Sequence, residues 1–334
     1  MSRPRLLATV ALVALLATAC VPAVRQQPTP MALQDVRIGM AFIPNVQFAP
    51  FYVADEKGYF AAEGIKPNFD YGFEQDVVAL TAQDQLIFTN AGGPTAIIAR
   101  SHGVPVQYFI KEYQTLPIAV FGLADKGIRT VDDLRGKTVG QPMPSGETFI
   151  GFEVMLRKAG LKDADMQVTT VGFTQVESVL NDKVDAAVGY SVNEPLQLKA
   201  QGRETFEIDL KDVAPEVAGD GVIASETTLR DKPELARAFA RAFLHGLSDT
   251  VADPEAAFQT TLKYVPDAAK DATVKQAQHD ILMKVVNDYW KTSGKLGESD
   301  PKLWDQTQGV LKDAGLIDSE TDISKAVTNA FLPN

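Results

Sequence analysis

One cysteine, three histidines and no excess of basic residues set the first limits on this 334-residue chain. With Cys20 alone, neither an intrachain disulfide nor a multi-cysteine metal site can form. His102, His245 and His279 fall in helical or turn contexts, far along the chain from the loops singled out below. Acidic residues outnumber basic ones by 43 to 32, for a net charge of −11, which disfavours nucleic acid and anionic lipid as direct partners. There is no Gly-x-Ser-x-Gly elbow, no HExxH pair and no Walker loop, so three common enzyme signatures are missing. Long apolar runs are scarce as well. The one at residues 6–17 is too short to cross a bilayer as a permanent helix.

That run has a different reading. Arg3 and Arg5 precede it, and it closes on Leu15-Leu16-Ala17-Thr18-Ala19-Cys20. A basic start, a short apolar stretch and small residues before a cut make a secretory leader. The ending resembles the bacterial lipobox, in which the cysteine after the cut becomes a thioether-linked diacylated residue. Residues 1–19 are therefore expected to be a signal peptide. Residues 20–34 are expected to be the lipidated Cys20 and a solvated tether containing Pro22, Gln26, Gln27, Pro28 and Pro30. Two or more acyl chains give stable anchoring, which places the body outside the cytoplasm on the cell membrane. The alternative is an ordinary leader cut near Ala19, with Cys20 incidental.

The remaining chain is long enough for two lobes with cores of their own. Strands are expected at 36–42, 66–71, 85–88, 104–110, 118–123, 138–140, 167–171 and 185–190. Helices are expected to alternate with them, including 75–84, 147–159 and 174–181, and the chain is expected to be strongly helical after about residue 221. Such alternation argues for α/β lobes with mainly parallel sheets. Ligands in open α/β sheets sit at the carboxyl ends of strands, where helix N-termini expose free N–H groups. Five polar tips occupy such junctions: 45–47, 89–93, 144–147, 190–194 and 220–221. They supply Asn45, Gln47, Thr89, Asn90, Ser145, Gly146, Glu147, Tyr190, Asn193, Glu194 and Asp220, with Phe48 and Tyr113 nearby. Phe42 and Phe149 are further candidate aromatics. Ser145 is also an N-cap candidate, and Glu194 before Pro195 has the alternative reading of a cap for the next helix. Phe51, Tyr52, Tyr59 and Phe60 read as core; Trp290 and Trp304 read as packing, although Trp290 has the alternative of overhanging a cleft.

The run Phe42-x-Pro44-Asn45, Phe51-Tyr52-Val53-Ala54, Glu56-Lys57-Gly58-Tyr59-Phe60 and Glu63-Gly64-Ile65 resembles the NMT1/THI5-like substrate-binding proteins of ABC importers. Residues 131–140 and 190–195 extend the resemblance. It implies a type II periplasmic-binding-protein fold: two α/β lobes with a two-strand hinge and a helical C-terminal region. Residues 35–116 and 222–334 would form lobe 1 and residues 117–221 lobe 2, with crossings near 114–118 and 219–223. The loop Pro44-Asn45-Val46-Gln47-Phe48-Ala49-Pro50-Phe51 looks most like the riboflavin-binding lipoproteins within the family. The implied ligand is riboflavin, as transported cargo with no cofactor or metal. The implied partners are a membrane permease and its ATPase, and a monomer is expected.

Chemistry at the tips is compatible with a flavin. Its ring system needs aromatic or aliphatic faces, its uracil-like edge needs donors and acceptors, and its polyol tail needs neutral or acidic acceptors. No arginine lies at any tip, which disfavours dicarboxylates, phosphates and flavin nucleotides. Sulfonates and single carboxylates remain open because helix N-termini can hold them. A thiamine-precursor aminopyrimidine or another small heterocycle is the alternative cargo. A lipid-tethered sensor or adhesin is a different class of reading. Fungal pyrimidine synthases share the resemblance but depend on a cysteine-rich motif and an active-site histidine, and this chain has no cysteine beyond Cys20. The anchor has a direct test: Cys20→Ser should abolish incorporation of labelled palmitate and move the protein from the membrane to the soluble fraction, and unchanged labelling would contradict it.

Overall fold

The structure, a computed structural model, describes residues 32–333; Cys20, the leader and residues 20–31 of the expected tether lie outside them. Gln34, expected to end the tether, is the first residue of strand β1. β1 (Gln34–Met40), β2 (Ile65–Tyr71), β3 (Phe88–Gly92), β4 (Val106–Lys111) and β10 (Asp220–Ser225) form one sheet in the order β2-β1-β3-β10-β4. β5 (Ile118–Leu123), β6 (Thr138–Gln141), β7 (Gln167–Thr170), β8 (Ala186–Tyr190) and β9 (Thr205–Asp209) form the other, in the order β7-β6-β8-β5-β9.

The two sheets follow one plan. β1 runs parallel to β2 and β3, and β6 runs parallel to β7 and β8. A single antiparallel strand then lies in fourth place, β10 between β3 and β4, and β5 between β8 and β9. Each of these is the strand that the chain enters directly after crossing from the other sheet. The crossings therefore run between Lys111 and Ile118 and between Asp209 and Asp220.

Helices α1 (Ala49–Glu56), α2 (Tyr59–Ala62), α3 (Glu74–Ala82) and α4 (Gly93–Ser101) connect strands of the first sheet. α5 (Gly146–Lys158), α6 (Gln175–Leu180), α7 (Glu194–Ala200) and α8 (Leu210–Val213) belong to the second lobe. After β10 come α9 (Glu226–Asp231), α10 (Pro233–Ala252), α11 (Pro254–Tyr264), α12 (Ala272–Val285), α13 (Pro301–Asp313) and α14 (Ile323–Ala326). Proline at the first helical position starts α10, α11 and α13, where its missing N–H would have had no partner. Among the described residues, no helix is long and apolar enough to cross a membrane.

Two expectations change here. Thr89–Gly92 is strand rather than loop, because Thr89 and Asn90 pair with Gly39 and Met40 of β1 while Asn90 and Ala91 pair with β10. Asp220-Gly221 opens β10 rather than ending a strand. All six residues of β10 are buried, so it shows none of the alternation that marks a half-exposed strand.

Core packing is dense around α10. Ala236, Phe239, Ala240, Phe243, Leu244 and Leu247 recur at helical spacing and are all buried. Phe239 stacks on Phe88 at 4.2 Å, and Phe243 lies 4.6 Å from Phe51 of α1. Phe51, Tyr52 and Phe60 are fully buried, as their reading as core required, while Tyr59 is half-buried and bonds Asp249 through its hydroxyl. α1 and α10 meet at Gly246, where a Cβ would fall against the Pro50 carbonyl and come within 2.8 Å of the Ala54 Cβ. Gly246→Ala should therefore lower stability by about 1–2 kcal/mol in urea unfolding, even against the roughly 1 kcal/mol that alanine gains in a helix. A more stable variant would contradict this close approach.

Candidate functional site

The parallel strands of both lobes end on the same space. Ala41 and Phe42 follow β1, Phe73 and Glu74 follow β2, and Asn90 lies near the end of β3. From the other lobe come Pro142 and Met143 after β6, Phe173 after β7, and Tyr190 at the end of β8. They line one cleft shared by the two lobes. Among the described residues, no lysine, arginine or histidine lines it.

Its floor is made of carboxyl groups. Glu74, the first residue of α3, reaches across to the second lobe: its Oε1 accepts from the Gly92 N–H at 2.8 Å and its Oε2 from the Glu147 N–H at 2.6 Å. Burial pushes the Glu74 carboxyl up to about 7, and these backbone donors limit the rise. Ser145 is the N-cap residue of α5, as expected, but makes no side-chain cap bond. Glu74 takes that role instead. Gly146 follows with φ of +79°, a conformation that favours glycine.

Glu147 and Asp220 meet on the Tyr190 hydroxyl. This hydroxyl is hydrogen-bonded to Glu147 Oε1 and lies 3.0 Å from Asp220 Oδ2. A phenol has one proton, so both contacts are hydrogen bonds only if one of the two carboxyls is itself protonated. Burial followed by the charge of Asp220 holds the Glu147 carboxyl well above its ordinary range, and burial raises Asp220. The proton therefore belongs on Glu147. Two further carboxyls flank this group. Glu112 is pushed well up by burial and accepts from Asn90 Nδ2 at 2.8 Å. Glu194 is pushed up to about 7 by burial and accepts from the Tyr190 N–H at 2.7 Å and from Asn193 Nδ2 at 3.0 Å. Unpartnered acceptors remain on Glu147 Oε2, Asp220 Oδ1 and Gln47 Oε1, all on buried residues that line the cavity.

Aromatic rings form the more exposed end. Phe73 of the first lobe stacks on Phe173 of the second at 4.5 Å, and Phe42 meets Phe173 edge-on at 4.8 Å. Phe48 and Tyr113 lie deeper, with Tyr113 against Trp290 at 5.7 Å. Trp290 and Trp304 are buried packing, and Trp290 does not overhang the cavity.

Eleven of the thirteen candidate residues line this space: Gln47, Phe48, Asn90, Tyr113, Ser145, Gly146, Glu147, Tyr190, Asn193, Glu194 and Asp220. Asn45 does not; its side chain caps the turn at Val46–Phe48 by accepting from the Gln47 N–H, and it lines a second cavity that shares Phe42, Phe173, Gln175 and Glu194 with the first. Thr89 is fully buried against the Thr81 hydroxyl at 2.5 Å. Phe149 packs in the core, and none of the three histidines reaches the cavity. Glu74, Phe73, Phe173 and Gln175 were missed. These four lie in two junctions where a strand gives way to a helix, 72–74 and 171–175, the same pattern that marked the other tips. Among the described residues, no group of three His, Cys, Asp or Glu side chains is arranged to hold a metal ion.

Residues 45–257 match the sequence profile of the family described as NMT1/THI5 like. The riboflavin-binding protein RibY of Chloroflexus aurantiacus is 40% identical over 93% of this chain and 89% of its own length. The formylaminopyrimidine-binding protein of Halalkalibacterium halodurans is 27% identical over 82% of this chain and 84% of its own. Among solved structures, the alkanesulfonate-binding protein SsuA from Xanthomonas axonopodis pv. citri, bound to MOPS, superposes with a TM-score of 0.70 at 12% identity, over 89% of this chain and 99% of SsuA. That likeness shows the periplasmic-binding-protein fold, in agreement with the expectation from the sequence.

Raised carboxyl groups have a stability signature. Glu74 and Glu194 keep their protons to about pH 7 in the folded protein but only to about 4.5 in the unfolded chain. Their contribution is then complete below about pH 4.5 and is lost as pH rises through about 7. The melting temperature should fall between pH 5 and pH 8, and Glu194→Gln should reduce that fall; equal melting temperatures at the two pH values would contradict the burial of these groups as acids.

Proposed function

We propose that this chain, which belongs to the NMT1/THI5-like family, is the solute-binding component of an ABC importer and that its cargo is riboflavin. It binds and releases without chemistry. The observation that carries the reading is the cavity's division into an aromatic end and a carboxyl floor without a cation. A flavin ring is flat and largely apolar, and suits Phe42, Phe173 and Phe48. Its imide N–H and its ribityl hydroxyls are donors, and suit the open acceptors of Glu147, Asp220 and Gln47. The 40% identity to a riboflavin-binding protein over nearly the whole chain supports the same ligand.

Capture follows from the two-lobe plan. Riboflavin bound on one lobe gains contacts to the other when the crossings at 112–117 and 210–219 bend, and only those added contacts can drive closure. The closed form would then dock on a permease with its ATPase. Diacylated Cys20 would hold the protein on the outer face of the cell membrane and confine it to a layer near that permease.

Titration of the purified full chain with riboflavin tests the reading. Flavin fluorescence should be quenched with sub-micromolar affinity, on the order of the binding free energies open to a well-enclosed small ligand. Tyr190→Phe and Asp220→Asn should each weaken binding about tenfold, the worth of one or two buried hydrogen bonds. No binding of riboflavin beside tight binding of formylaminopyrimidine would transfer the proposal to that cargo.

A further inference from the structure

We propose that Glu74 is a tethered carboxyl group that fills the anion seat of the cleft and so restricts it to ligands without a phosphate, sulfonate or carboxylate group. The N-terminal ends of α4 and α5 converge on one point between the lobes. Such ends attract anions, because their first N–H groups lack partners and their dipoles add there. In this chain the occupant of that point is built in. One oxygen of Glu74 accepts from Gly92 at the start of α4 and the other from Glu147 at the start of α5, at 2.8 and 2.6 Å.

The seat is shaped around this side chain. A Cβ on Gly146 would stand 3.0 Å from Glu74 Oε2, so this glycine leaves room for the carboxyl group, while one on Gly92 would meet Glu147 Oε2 at 2.8 Å. Ser145, which occupies the N-cap position of α5, leaves the cap to Glu74. Glu74 is only 6% exposed and arrives from the opposite lobe. A second anion entering here would meet Glu74, Glu147 and Asp220, with no basic side chain lining the cavity to offset them. Open acceptors on Glu147, Asp220 and Gln47 ask for hydroxyl or N–H donors instead. The sequence alone left sulfonates and single carboxylates open on the strength of free helix ends, and Glu74 occupies those ends.

The choice of flavins as probes rests on the riboflavin reading; the role of Glu74 has an arm that does not. The full chain, Glu74→Ala and Glu74→Gln are titrated with riboflavin and with riboflavin 5′-phosphate, and each is melted with and without low-millimolar inorganic sulfate. Wild type should prefer riboflavin by roughly a hundredfold, and Glu74→Ala should lose about tenfold or more of that preference. Glu74→Ala should also gain a sulfate-dependent rise in melting temperature that wild type lacks. Glu74→Gln, which still fills the seat, should fall between the two. Riboflavin 5′-phosphate binding wild type within about threefold of riboflavin overturns the proposal. So does an unchanged ratio with no sulfate response in a Glu74→Ala that unfolds cooperatively. If Glu74→Ala does not fold, the wild-type ratio and Glu74→Gln decide. Wild type that binds neither flavin contradicts the riboflavin reading, and the sulfate arm then decides on Glu74 alone.

Discussion

Carboxyl groups buried without a cation form the constraint on which this cleft depends. An ionised carboxylate taken out of water costs several kcal/mol unless something replaces its hydration. Glu74, Glu112, Glu147, Glu194 and Asp220 are each less than a tenth exposed, and no basic side chain lines their cavity. Three substitutes for water appear instead. Backbone N–H groups serve Glu74 and Glu194, side-chain amides serve Glu112 and Glu194, and a shared proton with one phenol serves Glu147 and Asp220. Two of these bonds would fail if the lobes separated, the one from the Glu147 N–H to Glu74 and the one between Tyr190 and Asp220, because Glu74 and Asp220 belong to the first sheet's lobe and Glu147 and Tyr190 to the second. Those two contacts settle carboxyls and join the lobes at once, and a ligand that offers donors competes for acceptors that the protein has left open.

Topology brings these groups together. Parallel strands in both sheets end on the cavity, and each sheet takes its fourth strand directly from a crossing. β10 thus carries Asp220 from the crossing into the heart of the first sheet, opposite Gly92. The aromatic rings come from the same set of strand ends, one step nearer to solvent. Phe173 stands between Phe42 and Phe73, so the rings of the two lobes already touch across the mouth.

Much of this was legible in the residues. Strand 118–123 was expected and found at the same bounds, the strand–helix alternation pointed to α/β lobes while the family resemblance supplied their two-lobe arrangement, and polar tips at strand ends located nine of the eleven lining residues. What escaped shares a physical cause. Asn90 and Thr89 sit in a strand buried on both sides, whose pairing with β10 lies more than a hundred residues away, and a short buried strand has no periodicity of its own. Asn45 and Ser145 have the same N-cap chemistry, yet only Asn45 caps locally, because a carboxylate from the other lobe reaches the helix that Ser145 precedes. Glu74 was hidden at the start of a helix expected to begin one residue later, and its partner Glu147 lies 73 residues on. Spacing along a chain reveals helix faces and strand ends; it does not reveal which distant helix an acid will cap.

The proton shared by Glu147 and Asp220 is the most direct point of contact with measurement. Carboxyl-carbon NMR of the ligand-free full chain, labelled at aspartate and glutamate side chains and titrated between pH 4 and pH 9, reads the protonation of each group. The expected result is a Glu147 carboxyl that stays protonated at neutral pH while the exposed carboxylates have long since ionised, with its signal lost in an otherwise folded Glu147→Gln protein. A spectrum in which every glutamate and aspartate ionises in the ordinary carboxylate range would contradict it, and with it the view that this cleft is built from neutralised acids awaiting donors.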